Sequence, residues 1–298
     1  MRLQTPLILT DSSLCLCVFV PLCFIPIPLN NLLNLSRLES ALQTLMETRR
    51  GTSLPTIYYF DSLISTNQTA WELLEQGEPS GTVVIAGRQT AGRGQWGRQW
   101  QSSQGGLFLS KIVDINLPVT QQAQLSISSA WGIATILRAR SCPVQLKWPN
   151  DIILNQRKLG GILTETKISG QFITQAVIGV GLNWENPVPE IGINLQTFFA
   201  NSATPPAIQS LEFLAALVLQ GLDLGIQHLS DTKVKKMLTG YNQLLTCMGK
   251  PIQIGDQMGE IIGISEQGNL RVGLYPKTEI GFSQEIDQQP GTINIGYS

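Results

Sequence analysis

Leu38, Leu42 and Leu45 recur at helical spacing behind Ser36, which predicts a short helix over 36–48. Ile57–Phe60 and Thr82–Ala86 read as strands, and between them Ser65 to Gln76 reads as a helix that Gly77 ends. A further strand is expected over Leu107–Val113. The helix expected over 120–140 carries Leu125, Ile133, Ile136 and Leu137 on one face. Four short strands follow it: Val144–Lys147, Asp151–Leu154, Leu159–Glu165 and Ala176–Val180. Helices are expected over 207–229 and 231–245. After Cys247 the texture changes to Pro251–Ile254, Gly259–Ile264, Asn269–Leu274 and Glu279–Ser283, short β segments parted by glycine, proline and asparagine. Consecutive strands at hairpin spacing argue for an α+β layer and against a doubly wound parallel sheet. The expected organisation is an extension over 1–35 outside the fold, a mixed α and β block over 36–245, and a small closed β module over 246–298. That module, at about fifty residues, is too small for a large core of its own.

The extension adds little to this organisation. Leu14 to Leu29 is apolar and uncharged, but Pro21, Pro26 and Pro28 interrupt it, and a spanning helix needs about 20 apolar residues. Only Arg2 precedes the run, Asp11 is close, and no small-residue cleavage site follows, which argues against a secretory signal. It reads as an appendage, with a membrane anchor as the lesser alternative. The net charge of −1 and the 14% of charged residues give no bulk attraction for nucleic acid or anionic membrane. His228 is the single histidine, which excludes a multi-histidine metal site; it lies in an apolar helical run and reads as structural. Cys15, Cys17, Cys23, Cys142 and Cys247 are odd in number and fit no zinc spacing, so they read as reduced thiols of a cytoplasmic protein.

Four segments carry candidate chemistry. Gly92-Arg93-Gly94-Gln95-Trp96-Gly97-Arg98-Gln99-Trp100 alternates unhindered backbone with fixed positive charge, which suits gripping an anion. Gly92, Gly94 and Gly97 have dinucleotide-fingerprint spacing, but the sequence after them opens no helix. Trp96 and Trp100 would wall off a ligand or anchor the loop. Ser65-Thr66-Asn67-Gln68 reads first as a capping box and second as a polar ligand edge. Lys147 and Lys158 flank a Pro-Asn-Asp turn and can face one site if their strand registers agree. The Gly160-Gly161 pair and the Ile178–Asn183 strand, with its two glycines, allow close approach of a ligand or mark a bulge. Arg93, Arg98, Lys147, Lys158 and the further candidate Arg88, with neutral groups at Ser65–Asn67 and Gln89, suit the joining of two anions, for instance a carboxylate and a nucleotide α-phosphate. A carboxylate is already ionised at neutral pH, so its attack on phosphorus needs no general base.

GRGQWGRQW with SQGGLFLS after it, KWPNDIILNQRKLGGILTE and VIGVGLN, together spanning about Tyr58 to Asn183, resemble the biotin–protein ligases. The resemblance implies a class II aminoacyl-tRNA-synthetase-like mixed sheet with helices, followed by a small SH3-like β-barrel. It also implies biotin, ATP and Mg²⁺, a biotinyl-5′-AMP intermediate, and transfer of biotin to a lysine of a biotin carboxyl carrier protein, a subunit of acetyl-CoA carboxylase. By position, Ser65, Thr66, Asn67, Gln89, Gly92 and Arg93 match the family's biotin-binding residues. Gly94, Gln95, Arg98, Trp100, Gly106, Gly161 and Asn183 complete the expected ligand shell. Lys158 is the expected main catalytic cation, joined by Arg93 and Lys147, with Asp151 orienting the incoming carrier lysine. Many family members carry arginine where this chain has Gln95, so weaker electrostatic retention of the adenylate is expected. Only one short helix is expected before Tyr58, so a DNA-reading role is not. The expected state is a monomer or homodimer without nucleic-acid or membrane partners. The rival readings are a lipoate–protein ligase and a non-catalytic biotin- or nucleotide-binding regulator.

Overall fold

The computed structural model describes residues 7–9, 33–46, 54–201, 207–229, 233–276, 281, 283–293 and 295–296. The run Leu14–Leu29, with Cys15, Cys17 and Cys23, lies outside them. Among the described residues no helix is long and apolar enough to cross a membrane.

The main body is one eight-stranded mixed sheet ordered β1-β2-β3-β4-β8-β7-β6-β5. Its strands are β1 (Leu7–Leu9), β2 (Ile57–Phe60), β3 (Val83–Ala86), β4 (Gly106–Pro118), β5 (Gln145–Lys147), β6 (Asp151–Leu154), β7 (Arg157–Ser169) and β8 (Phe172–Asn183). Only β2 and β3 pair in parallel, and α2 (Thr66–Glu75) joins them. The remaining neighbours are antiparallel: β5–β6, β6–β7 and β7–β8 are short hairpins, while β4 pairs with β8 across the intervening strands. β7 and β8 run longer than their apolar cores, because the mixed segment Thr164–Ser169 still completes its ladder against β8 before the turn at Gly170.

Part of the extension expected outside the fold departs from that expectation. Leu7–Leu9 pairs antiparallel with Ile57–Tyr59 as an edge strand. The outer edge of β2 presents unpaired backbone groups, which an extended segment satisfies without any particular sequence.

One face of the sheet is covered by helices α3 (Ala123–Arg138) and α5 (Leu211–Gln227), with α1 (Leu35–Met46) and α6 (Val234–Leu244) beside them. Leu107, Leu109, Ile178, Val180 and Leu182 from the central strands meet Ile133, Leu137, Leu217 and Val218 there, all buried. His228 caps the end of α5 and packs 4.8 Å from the Trp131 ring, as the structural reading expects. The opposite face is only partly covered: α2 seals one end through Ala70 against Val84, Ile112 and Val177. A one-and-a-half-turn helix, α4 (Leu195–Ala200), has no counterpart in the sequence reading.

After α6 comes a four-stranded antiparallel sheet ordered β12-β11-β10-β9, with β9 at Pro251–Ile254, β10 at Gln257–Ile264, β11 at Leu270–Leu274 and β12 at Gln284–Gln288. The expected fourth strand at Glu279–Ser283 falls mostly outside the described residues, and the strand that pairs with β11 lies just beyond it. Ile261, Ile264, Leu270, Val272 and Leu274 join the main core instead of forming a second one. Trp148 Nε1 donates to the Gly268 carbonyl at 3.0 Å, so the Lys147–Asp151 turn is tied to this small sheet.

Candidate functional site

Strand registers place the candidate cations together. Lys147 lies opposite Asp151, Asp151 opposite Gly161, and Gly161 opposite Gly181, one row crossing β5, β6, β7 and β8. Directly opposed residues in antiparallel strands share a face, here the one the large helices leave open. Glycine at positions 161 and 181 keeps the middle of that row free of its own side chains, so that others can pack there. A Cβ on Gly181 would stand 2.4 Å from Trp100 Nε1, so the indole rests directly on the strand backbone. Two residues along, a Cβ on Gly179 would stand 2.2 Å from Asn67 Oδ1, so the same strand also admits the start of α2.

The open face forms a cavity of about 630 Å³. Ser65, Thr66, Asn67, Gln89, Arg93, Gly94, Gln95, Arg98, Trp100, Lys147, Asp151, Lys158, Gly161 and Asn183 all line it. Arg93 and Lys158, far apart in sequence, therefore share one cleft. Gly92, Gly106 and Arg88 do not line it. Gly92 lets the loop close on itself: a Cβ there would meet Ser102 Oγ at 2.3 Å. Gly106 lies opposite Asn183, packed on the Phe108 ring. Arg88 bonds Ser62 through Nε at 3.1 Å, an exposed contact.

The capping-box reading of Ser65 and Gln68 is overturned. Ser65 stands at the N-cap with extended backbone but makes no side-chain cap bond, and Gln68 Nε2 donates forward to Glu72. Gln89 takes over the start of the helix: the Thr66 N–H donates to Gln89 Oε1 at 2.8 Å, and Gln89 Nε2 donates to Ser102 Oγ at 2.8 Å. Ser65 remains on the cavity wall. Asn67 is committed locally, its amide donating to Leu163 O at 3.3 Å and Glu165 Oε2 at 3.1 Å.

The charged cluster is compact. Lys158 Nζ is 2.7 Å from Asp151 Oδ1 and 5.3 Å from the centre of a Trp100 ring, a cation–π contact. Lys147 is buried, and that burial pushes its ammonium down to about 8; Asp151 opposes the shift, while Lys158 and Arg98 add to it. Asn183, buried, donates to the Ile193 carbonyl at 3.2 Å and the Lys158 carbonyl at 3.4 Å. It therefore braces the strand that carries Lys158. Among the described residues no cluster of three His, Cys, Asp or Glu side chains is placed to hold a metal.

Two walls were not found from sequence. Pro187, Pro189, Ile191 and Gly192 line one side, positioned by the Lys158 N–H donating to Ile191 O at 2.8 Å. The proline spacing after Asn183 was the available signal. Gly291, Thr292, Ile293 and Ile295, from the segment after β12, line another, and nothing in their sequence marks them. A Cβ on Gly291 would stand 2.7 Å from Trp96, so this segment meets the glycine-rich loop directly.

Residues 59–183, which hold most of these side chains, match the Biotin/lipoate A/B protein ligase family. Among similar proteins, the bifunctional ligase/repressor BirA of Bacillus subtilis is 39% identical over 129 residues, 43% of this chain and 40% of that protein. The chain thus matches about two fifths of the length of this relative. A biotin–acetyl-CoA-carboxylase ligase of Mycobacterium tuberculosis is 27% identical over 237 residues, 74% of this chain and 85% of that one. In fold, the chain is similar to the biotin protein ligase from Aquifex aeolicus solved with biotin and ATP, with a TM-score of 0.60 and 24% identity over 77% of this chain and 94% of that one.

Proposed function

We propose that the protein is a biotin–protein ligase that activates biotin with ATP and transfers it to a lysine of a biotin carboxyl carrier protein. The observation that carries this reading is the convergence of Arg93, Arg98, Lys147 and Lys158 on one cavity that also holds the neutral groups of Ser65, Thr66 and Gln89. A cavity of about 630 Å³ holds a ligand of substrate size. The cations offset the repulsion between a carboxylate and a triphosphate, which otherwise opposes their approach. In the first step a carboxylate oxygen of biotin forms a bond to the α-phosphorus of ATP. The bond from that phosphorus to the bridging oxygen breaks, and pyrophosphate leaves with the electron pair. Lys158, held over Trp100, stabilises the charge that builds on the shared oxygens. Mg²⁺ fits as an ion brought in on the nucleotide's own phosphates, since Asp151 is the one carboxylate on the described wall and is already engaged with Lys158.

In the second step the carrier lysine amine attacks the acyl carbon and AMP leaves. That amine must first lose a proton (ordinary pKa about 10.4). Asp151 lies in the cavity beside Lys158 and is the group proposed to orient it. Acetyl-CoA carboxylase is the proposed source of the carrier, since the Mycobacterium tuberculosis relative is a biotin–acetyl-CoA-carboxylase ligase. Buried, unpaired Cys142 and Cys247 fit work in a reducing compartment, the cytoplasm. Transfer of labelled biotin to a carrier domain tests the reading. The full chain is expected to label the carrier in an ATP-dependent way and the Lys158→Ala variant to fail; equal labelling by both would defeat it.

A further inference from the structure

The geometry points to Glu165 as a positioning residue that holds Arg93 at the cavity from behind its wall, an assignment that rests on the ligase reading for the identity of the anion. Glu165 sits on β7 opposite Val177 and does not itself line the cavity. Its carboxylate gathers donors from two separate parts of the chain. Arg93 Nη2 approaches Oε1 at 3.0 Å and Oε2 at 3.3 Å; Asn67 Nδ2 and Trp71 Nε1, both from α2, each donate to Oε2 at 3.1 Å. One side chain thus ties the glycine-rich loop and the first turns of α2 to the central sheet.

The loop has few other fixings of this kind. Its backbone bonds run within itself, from the Gly94 N–H to Arg98 O and from the Trp100 N–H to Gly92 O. Gly94 and Gly97 lower its stiffness further. Arg93 is about half exposed, at 49%, and a pair this exposed contributes little to stability. Its consequence is directional. One guanidinium nitrogen is spent on Glu165, while the planar fork leaves its other donors for an anion in the cavity that Arg93 lines. Without the carboxylate, the arginine and its loop lose their aim.

Glu165→Gln separates this role from simple support of α2. The amide oxygen still accepts from Asn67 and Trp71, but the charge that holds Arg93 is gone. In the full chain, Glu165→Gln is expected to weaken biotin binding by calorimetry on the order of tenfold. Tryptic cleavage after Arg93 is expected to quicken while the thermal midpoint stays near that of the parent. Because the effect acts through Arg93, adding Glu165→Gln to Arg93→Ala is expected to weaken binding no further. Unchanged binding in Glu165→Gln, or full additivity in the double variant, would overturn the assignment. If the parent binds no biotin, the ligase reading fails separately. The cleavage rate then judges the tie alone: faster cutting upholds it, and an unchanged rate ends it.

Discussion

The two faces of the central sheet are built from the same strands but by opposite rules. Along β8, Ile178, Val180 and Leu182 point to the helix-covered face and are buried in the core, while Gly179 and Gly181 alternate with them on the cavity face. One face removes large apolar surfaces from water, the main stabilising term in folding. The other gives up that stabilisation at each glycine, leaving room for Asn67, for Trp100 and for a ligand. Charge follows the same division. Lys147, Asp151 and Lys158 gather on the cavity face, whereas the core face of β8 carries only aliphatic side chains. A period of two in a strand therefore separates stability from chemistry within a single run of six residues.

Substitutions on each face should break different properties. The largest effect is expected from Lys158→Ala, which removes the cation paired with Asp151 and set over Trp100. Biotin-dependent adenylate formation should fall by roughly a hundred- to a thousandfold, with little change in the thermal midpoint. Next comes the contrast within β8. Gly181→Val drives a side chain into the Trp100 indole and should lower substrate affinity by about a hundredfold. Leu182→Ala on the other face should cost about 2–5 kcal/mol by urea unfolding while leaving affinity near normal. If both variants lost stability and neither lost affinity, the division of labour between the faces would not hold.

A smaller effect is expected from pH. Burial lowers the Lys147 ammonium from 10.5 to about 8. Anion binding that uses its charge should weaken above pH 8, by about tenfold per unit for a single proton, and Lys147→Gln should flatten that slope. The stability effect has the opposite sign. The folded state binds the proton less tightly than the unfolded chain, so this group destabilises the fold below about pH 8. That cost is relieved as pH rises between about 8 and 10.5. The smallest effect is expected at Gln95, which lines the cavity without charge. Gln95→Arg should slow release of biotinyl-AMP several-fold, read by the lifetime of the bound adenylate; unchanged release would show that charge at this position is irrelevant.

Much of this division could be read from the chain. The alternation Ile-Gly-Val-Gly-Leu was open to a bulge or a ligand edge, and the regular pairing of β8 there leaves the ligand edge. Lys147 and Lys158 reach one site because the register of β6 and β7 shifts between Ile152 and Ile153, which turns Lys158 to the face of Asp151. Ser65 was harder. Local pattern favoured a cap, but Gln89, distant in sequence, supplies the acceptor that Gln68 was expected to share in. Glu165 and the Gly291–Ile295 wall were harder still. Their roles arise from contacts with Arg93 and Trp96 across the fold, and neither segment carries a spacing that a local rule detects. The small C-terminal sheet was recognised by its short β segments, but its attachment through Trp148 required the tertiary structure.

The proposed activity depends on which acid the cavity accepts. Exchange of labelled pyrophosphate into ATP, run on the full chain with biotin and with lipoate in parallel, reads that step without any carrier protein. Exchange driven by biotin and abolished by Lys158→Ala is the predicted result. Exchange driven by lipoate alone would contradict the assignment of substrate, and none with either acid would make the cavity a binding site without chemistry.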